Sequence, residues 1–154
     1  MKKSIYSLSA LAFSFLLFSC AEKKDAKTSE TAKYQSKTKL AAQTPLAQSM
    51  EEGASVYENF CAQCHLPSGK GVPGSFPPLA GSNWLTDKRT ESIRAVKYGQ
   101  RGEITVNGVT YNGIMTPMGL SDKEVADVMN YIMNSWENTQ EKMVTESEVA
   151  GVAK

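Results

Sequence analysis

The sequence predicts an all-α domain: three main helices joined by loops rich in glycine and proline, with one small β-hairpin before the last main helix. Three observations carry this. Apolar residues recur at helical spacing in three segments, 51–64, 87–98 and 121–136. Strand-like alternation is confined to residues 104–111, around Asn107-Gly108, the pair that a type I′ turn favours. There is no internal repeat and no run of alternating helices and strands, so a nucleotide-binding α/β sheet is a poor fit.

The elements follow in order. Met1, Lys2 and Lys3 open the chain, and an apolar run from Ile5 to Phe18 follows. At about 14 residues the run is too short to span a bilayer comfortably and suits a signal-peptide core. It ends in Leu17-Phe18-Ser19-Cys20, which resembles a bacterial lipobox. That resemblance implies that residues 1–19 are removed and that Cys20 becomes a lipidated N-terminus. The plainer alternative is a secretory leader cut nearby, with Cys20 a spare thiol; either exports the protein.

Residues 20–48 read as this lipidated end and a flexible tether. Tyr34 is its one aromatic residue, and so polar a stretch cannot bury enough surface to offset its ordering entropy. From 21 to 48 it holds six lysines against three acids, a net of +3, while the residues beyond hold nine Lys/Arg against thirteen Asp/Glu, a net of −4. The formal total of +1 averages a basic leader and tether with an acidic domain, and implies no field for nucleic acid. Fully extended, the tether reaches about 90–100 Å.

Residues 49–154 read as the domain with a short tail. The folded part, about ninety residues from Met50 to Trp136, is small for a hydrophobic core alone, so something else should fill its interior. Glu51 to Cys64 reads as the first helix, with Val56, Tyr57, Phe60 and Cys61 at helical spacing. A Gly/Pro-dense loop leads to the second helix, 87–98, which Gly99 stops. After the hairpin, Ser121 and Glu124 form a capping box for the strongest helix, whose apolar face is Val125, Val128, Met129, Ile132, Met133 and Trp136. Thr145 and Glu148 repeat the pattern before Val149 and Val152, predicting a weaker terminal helix.

The chain has three cysteines and one histidine. That excludes bis-histidine ligation of a metal within the chain, an all-cysteine zinc site and a disulfide scaffold. Two of the cysteines and the histidine fall in Cys61-Ala62-Gln63-Cys64-His65, a C-x-x-C-H spacing that suits covalent attachment of haem c. Two thiols three positions apart share a helical face and can each add to a haem vinyl group. The next residue then places an imidazole under the iron. A thiol–disulfide centre is one alternative; a zinc site is another, but lacks an evident fourth ligand. Gly69-Lys70-Gly71-Val72-Pro73-Gly74 fits G-x-G-x-x-G, but it follows no strand and Pro73 stands where a helix should open, so it reads as a loop.

A sixth iron ligand must come from a soft donor other than histidine. Met129 and Met133 lie on a helix face expected to be core, Met50 at the edge of the tether and Met143 in the polar tail. Met115 and Met118 lie in the loop between hairpin and last helix, where pattern does not choose between them.

The stretches GASVYENFCAQCH, GKGVPGSFPPLAGSNWL, ITVNGVTYNGIMTPMGLSD and EVADVMNYIMNSW, in this order between residues 53 and 136, resemble the class I monohaem cytochromes c. The similarity is to small haem domains that accompany periplasmic dehydrogenases, nitrite reductases and terminal oxidases. It implies a class I cytochrome c fold, with three main helices around one covalent haem c. It maps the sixth ligand to Met115, although the usual Met-Pro is here Met115-Thr116-Pro117. It implies that the Pro77 carbonyl accepts the Nδ1 proton of His65 and that Leu79 packs on the haem. It also sets Gly53, Tyr57 and Phe60 against Tyr131 where the first and last helices cross. Trp84, Tyr98 and Tyr111 are candidate pocket walls.

The function so implied is one-electron transfer, not catalysis, at the periplasmic face of a membrane to which the lipid holds the chain. The partners would be redox proteins: a membrane respiratory complex, an oxidase, a reductase or a dehydrogenase. An acidic domain favours a basic or apolar partner surface over a lysine-ringed docking face of its own. An open-site haem enzyme or gas sensor is the main alternative function.

Overall fold

A computed structural model describes residues 44–140 and 142–154. The leader, Cys20 and most of the tether lie outside the described residues.

The chain enters at helix α1, Pro45–Phe60. Its start lies ahead of the expected Met50, inside the stretch read as tether. Local chemistry explains this: Pro45 sits at the first helical position, where a missing N–H costs nothing, and the Thr44 hydroxyl accepts from the Ala47 amide at 3.1 Å. The helix also ends earlier than the expected Cys64. Cys61 caps it, and a separate turn, α2, runs Ala62–His65. The segment expected as one helix over 87–98 is α4, Arg89–Tyr98, preceded by the short α3, Asn83–Asp87. Lys88 separates the two, and Gly99 at φ 84° stops α4 as expected.

Two small antiparallel ribbons follow. Strand β1 (Gln100–Arg101) pairs with β4 (Ile114–Met115), while β2 (Ile104–Val106) pairs with β3 (Val109–Tyr111). The latter is the expected hairpin. Asn107 and Gly108, at φ 51° and 78°, take the left-handed conformations its turn demands. The ribbon of β1 and β4 has no sequence signal, because each strand is two residues long.

Helix α5, Asp122–Met133, carries the expected capping box, with Ser121 and Glu124 each bonding the other's backbone. Trp136 lies beyond its end, at φ 51°, and so is not on the helix face where periodicity placed it. Thr145 caps the terminal helix α6, Glu146–Ala150.

The first and last main helices, α1 and α5, make the principal packing contact. Gly53 permits it: a Cβ there would lie 2.0 Å from the carbonyl oxygen of Asp127. Around that point Ser49 Oγ donates to Asp127 at 2.5 Å, and the Asn130 amide donates to Ser49 Oγ at 2.9 Å. Tyr57 packs on Tyr131 and Trp136, with ring centroids 5.4 and 5.0 Å away. Phe60, the last residue of α1, is 45% exposed and lines a cleft.

The tail is an integral part of the fold. Val144 and Val149 are fully buried, and Asn130 bonds both the amide and the carbonyl of Val144, at 2.7 and 2.9 Å. Arg89 grips Glu148 with two bonds of 2.7 and 3.0 Å. Tyr98 serves this docking too: its hydroxyl donates to the Val152 carbonyl at 3.1 Å, so it is not the cleft wall proposed for it. No helix among the described residues is long and apolar enough to cross a membrane.

Candidate functional site

The end of α1, turn α2, the 75–79 loop, α4, the two ribbons and α5 surround one cleft of about 1220 Å³, including its open mouth. Cys61, Cys64, His65, Pro77, Leu79 and Met115 all line it. Trp84 and Tyr111 also reach it, as expected, and Met118 lies in the same lining.

The C-x-x-C-H segment reaches the cleft because α1 breaks at Cys61 and restarts as a single turn. The amides of Cys64 and His65 both bond the Cys61 carbonyl, at 3.1 and 2.9 Å. Leu66 then leaves the turn at φ 62°, a strained value for a leucine. Its carbonyl is held by the Tyr57 hydroxyl at 2.7 Å, and the His65 carbonyl accepts from Gly71 at 2.9 Å. The loop thus folds back over the histidine.

His65 is 8% exposed. Its Nδ1 donates to the Pro77 carbonyl at 3.0 Å, which leaves Nε2 as the unprotonated nitrogen. Among the described residues nothing hydrogen-bonds Nε2. Burial lowers the pKa of the imidazole, with the Pro77 bond opposing this more weakly, so the ring is neutral at neutral pH. Gly71 makes the bond possible, since a Cβ there would meet the Phe76 and Pro77 carbonyl oxygens at 2.3 and 2.6 Å. Burial, with a smaller contribution from Cys64, pushes the Cys61 thiol up to about 11.

The two loop methionines differ in their support. Met115 is fixed by the pairing of β4 with β1, opposite Gln100, and packs against the buried core. Met118 follows in irregular chain beyond Pro117. Met129 and Met133 are each 1% exposed, in line with the core role expected of them. Met129 also forms part of the cleft floor, and Met133 Sδ accepts from Arg89 at 3.5 Å.

Phe76 and Ile114, 36% and 60% exposed, stand at the cleft and were not singled out from sequence. Isolated apolar residues in a loop and a two-residue strand carry no periodicity. No group of three or more His, Cys, Asp or Glu side chains among the described residues is arranged to hold a metal ion.

The residues present fit a haem. The cleft is large and mainly apolar, two thiols lie on its wall, and a buried neutral imidazole has one nitrogen without a partner among the described residues. Such a cleft within a small helical shell defines a haem-binding domain. The Cytochrome c family profile matches residues 50–136. The chain belongs to the cytochrome c family, and its cofactor is one covalently bound haem c. It is 42% identical over 96 residues to a cytochrome c-552 of Thermus thermophilus, covering 59% of this chain and 64% of that one. A second Thermus thermophilus cytochrome c-552 is 42% identical over 90 residues, 55% of this chain and 68% of its own. The cytochrome c subunit of a quinone alcohol dehydrogenase from Gluconobacter oxydans is 36% identical over 101 residues, 63% of this chain but 21% of that subunit. The chain therefore spans about two thirds of the first relatives and about a fifth of the dehydrogenase subunit.

Proposed function

We propose that the protein is an exported one-electron carrier, held to a membrane face by lipid on Cys20, with haem bound through Cys61 and Cys64 and ligated by His65 and Met115. The observation that carries the haem site is the cleft that gathers both thiols, the buried imidazole and the strand-held Met115; the anchor rests on the Leu17-Phe18-Ser19-Cys20 pattern. Held by Cys61, Cys64, His65 and Met115, a haem would supply one-electron chemistry between the ferric and ferrous states.

The chain's own residues prepare that exchange. Pro77 holds the His65 ring in one tautomer and orientation. The pairing of β4 with β1 fixes the backbone from which Met115 reaches inward. With His65 and Met115 both carried on fixed backbone, little would need to move on electron transfer, and the two side chains would keep small ligands from a bound metal. Methionine as the second ligand favours the reduced state. The apolar rim at Phe60, Phe76 and Ile114 suits direct contact with a partner at the cleft mouth. The relatives named as dehydrogenase cytochrome subunits support a redox protein as partner. A Cys61 thiol with a raised pKa argues against a thiol–disulfide catalyst, which needs an accessible thiolate.

Potentiometric titration of the purified holoprotein tests the carrier role. A single reversible one-electron wave is expected, and turnover of a small substrate or binding of a diatomic gas without ligand loss would contradict it. Mass analysis of the mature N-terminus tests the anchor. An acylated Cys20 is expected, and an unmodified start elsewhere would refute it.

A further inference from the structure

The family match ends at residue 136. Two residues later, the side chain of Asn138 makes three hydrogen bonds, using its acceptor and both amide protons. Its Oδ1 accepts from the Gly81 amide at 2.9 Å, and its Nδ2 donates to the carbonyls of Leu79 and Ile132, both at 2.9 Å. Ile132 belongs to the last turn of α5, where its carbonyl also accepts from the Ser135 amide at 3.5 Å. Asn138 therefore ties the 79–81 segment to the end of the last main helix.

That segment directly follows the carbonyl that fixes the histidine. Pro77 accepts from His65, and Leu79 lines the cleft. From the other side, the amides of Leu79 and Ala80 both bond the Gly69 carbonyl, at 2.7 and 2.9 Å. Residues 79–81, which begin two positions beyond the Pro77 carbonyl, are thus clamped between Gly69 and Asn138.

The backbone bends to bring Asn138 there. Trp136 and Glu137 adopt φ of 51° and 73°, two consecutive non-glycine residues in the left-handed region. Such conformations are costly and persist only where the surroundings hold them. Here the Trp136 indole donates to the Pro67 carbonyl at 3.1 Å and packs on Tyr57, while the Asn138 amide donates to the Ser135 carbonyl at 2.9 Å.

We propose that Asn138 is a positioning residue that fixes the Pro77 carbonyl on His65 and so sets the electron-donor strength of the imidazole and the reduction potential. The proposal rests on His65 being the haem ligand, as proposed above. Loss of the clamp lets the 77–81 segment drift. The Nδ1–H···O bond weakens, the imidazole donates less, and the ferrous state is favoured.

The test uses the full-length holoprotein with Asn138→Ala and Asn138→Leu. The leucine is neutral and keeps most of the volume, so a packing failure in one variant leaves the other. Asn134→Ala is the control, because Asn134 bonds Asn130 and Gln140 in the same region but not the loop. Both Asn138 variants should raise the reduction potential and speed exchange of the His65 Nδ1 proton, read by NMR in the reduced protein, by about tenfold. Asn134→Ala should lower stability and move neither. Asn138 variants that lose stability but keep the wild-type potential and proton exchange overturn the proposal alone. A wild-type holoprotein in which His65 is not the iron ligand overturns the ligation assignment, and this proposal with it.

Discussion

Gly53 and Asp127 meet so closely that the α-carbon of one helix rests on the backbone of the other; a Cβ on Gly53 would stand 2.0 Å from the Asp127 carbonyl oxygen and 2.4 Å from its carbon. Backbone cannot rotate aside as a side chain can. Gly53→Ala should therefore separate α1 from α5 and cost about 1–3 kcal/mol or more, the range for overpacking. Ser49, Asp127 and Asn130 would lose alignment with it. Denaturant titration of the holoprotein measures this, and a wild-type midpoint would contradict the packing described.

Acid should loosen the tail. The Arg89 guanidinium holds the Glu148 carboxyl below its ordinary 4.5. A carboxylate with a depressed folded pKa contributes stability that is fully present above its unfolded pKa. The contribution is lost as pH falls through the lower, folded value. Glu148→Gln should cost about 0.5–1 kcal/mol at neutral pH, since the pair is partly exposed. It should also flatten the loss of stability below about pH 4.5. Thermal unfolding across roughly pH 3–7 checks both, and equal acid slopes in variant and wild type would contradict the assignment.

The chain beyond residue 48 carries nine Lys/Arg against thirteen Asp/Glu. Reduction by a basic donor protein should slow as salt screens the attraction over a Debye length of about 8–10 Å. Stopped-flow rates across an ionic-strength series measure this. Rates that rise with salt would contradict an acidic docking face.

Features set by local chemistry were legible in the sequence. Asn107-Gly108 announced the hairpin and Ser121 with Glu124 announced the helix start, because turn and cap geometries depend on a few adjacent residues. Cys61, Cys64 and His65 stood out in the sequence because covalent haem attachment demands fixed spacing, and the cleft gathers all three. Pro77 and Met115 came from family resemblance, and the cleft gathers both. The start of α1 was misplaced although its signal is local: Thr44 and Pro45 begin the helix within a stretch whose composition resembles a spacer. What depends on distant contacts was misplaced as well. Phe60 keeps the helical period of Val56 and Tyr57, but the helix ends there and the residue is half-exposed at the cleft. Tyr98 looks like a pocket aromatic until the tail docks on its hydroxyl. Asn138 had no signal, since its three partners lie 57, 59 and 6 positions away in the chain.

The central claim is a haem held between His65 and Met115. It is tested most directly by the long-wavelength absorption of the ferric protein, where methionine sulfur bound to iron gives a weak charge-transfer band. The band should be present in wild type, lost in Met115→Ala and kept in Met118→Ala. A high-spin ferric spectrum in wild type, or a band that survives Met115→Ala and disappears in Met118→Ala, would contradict the account.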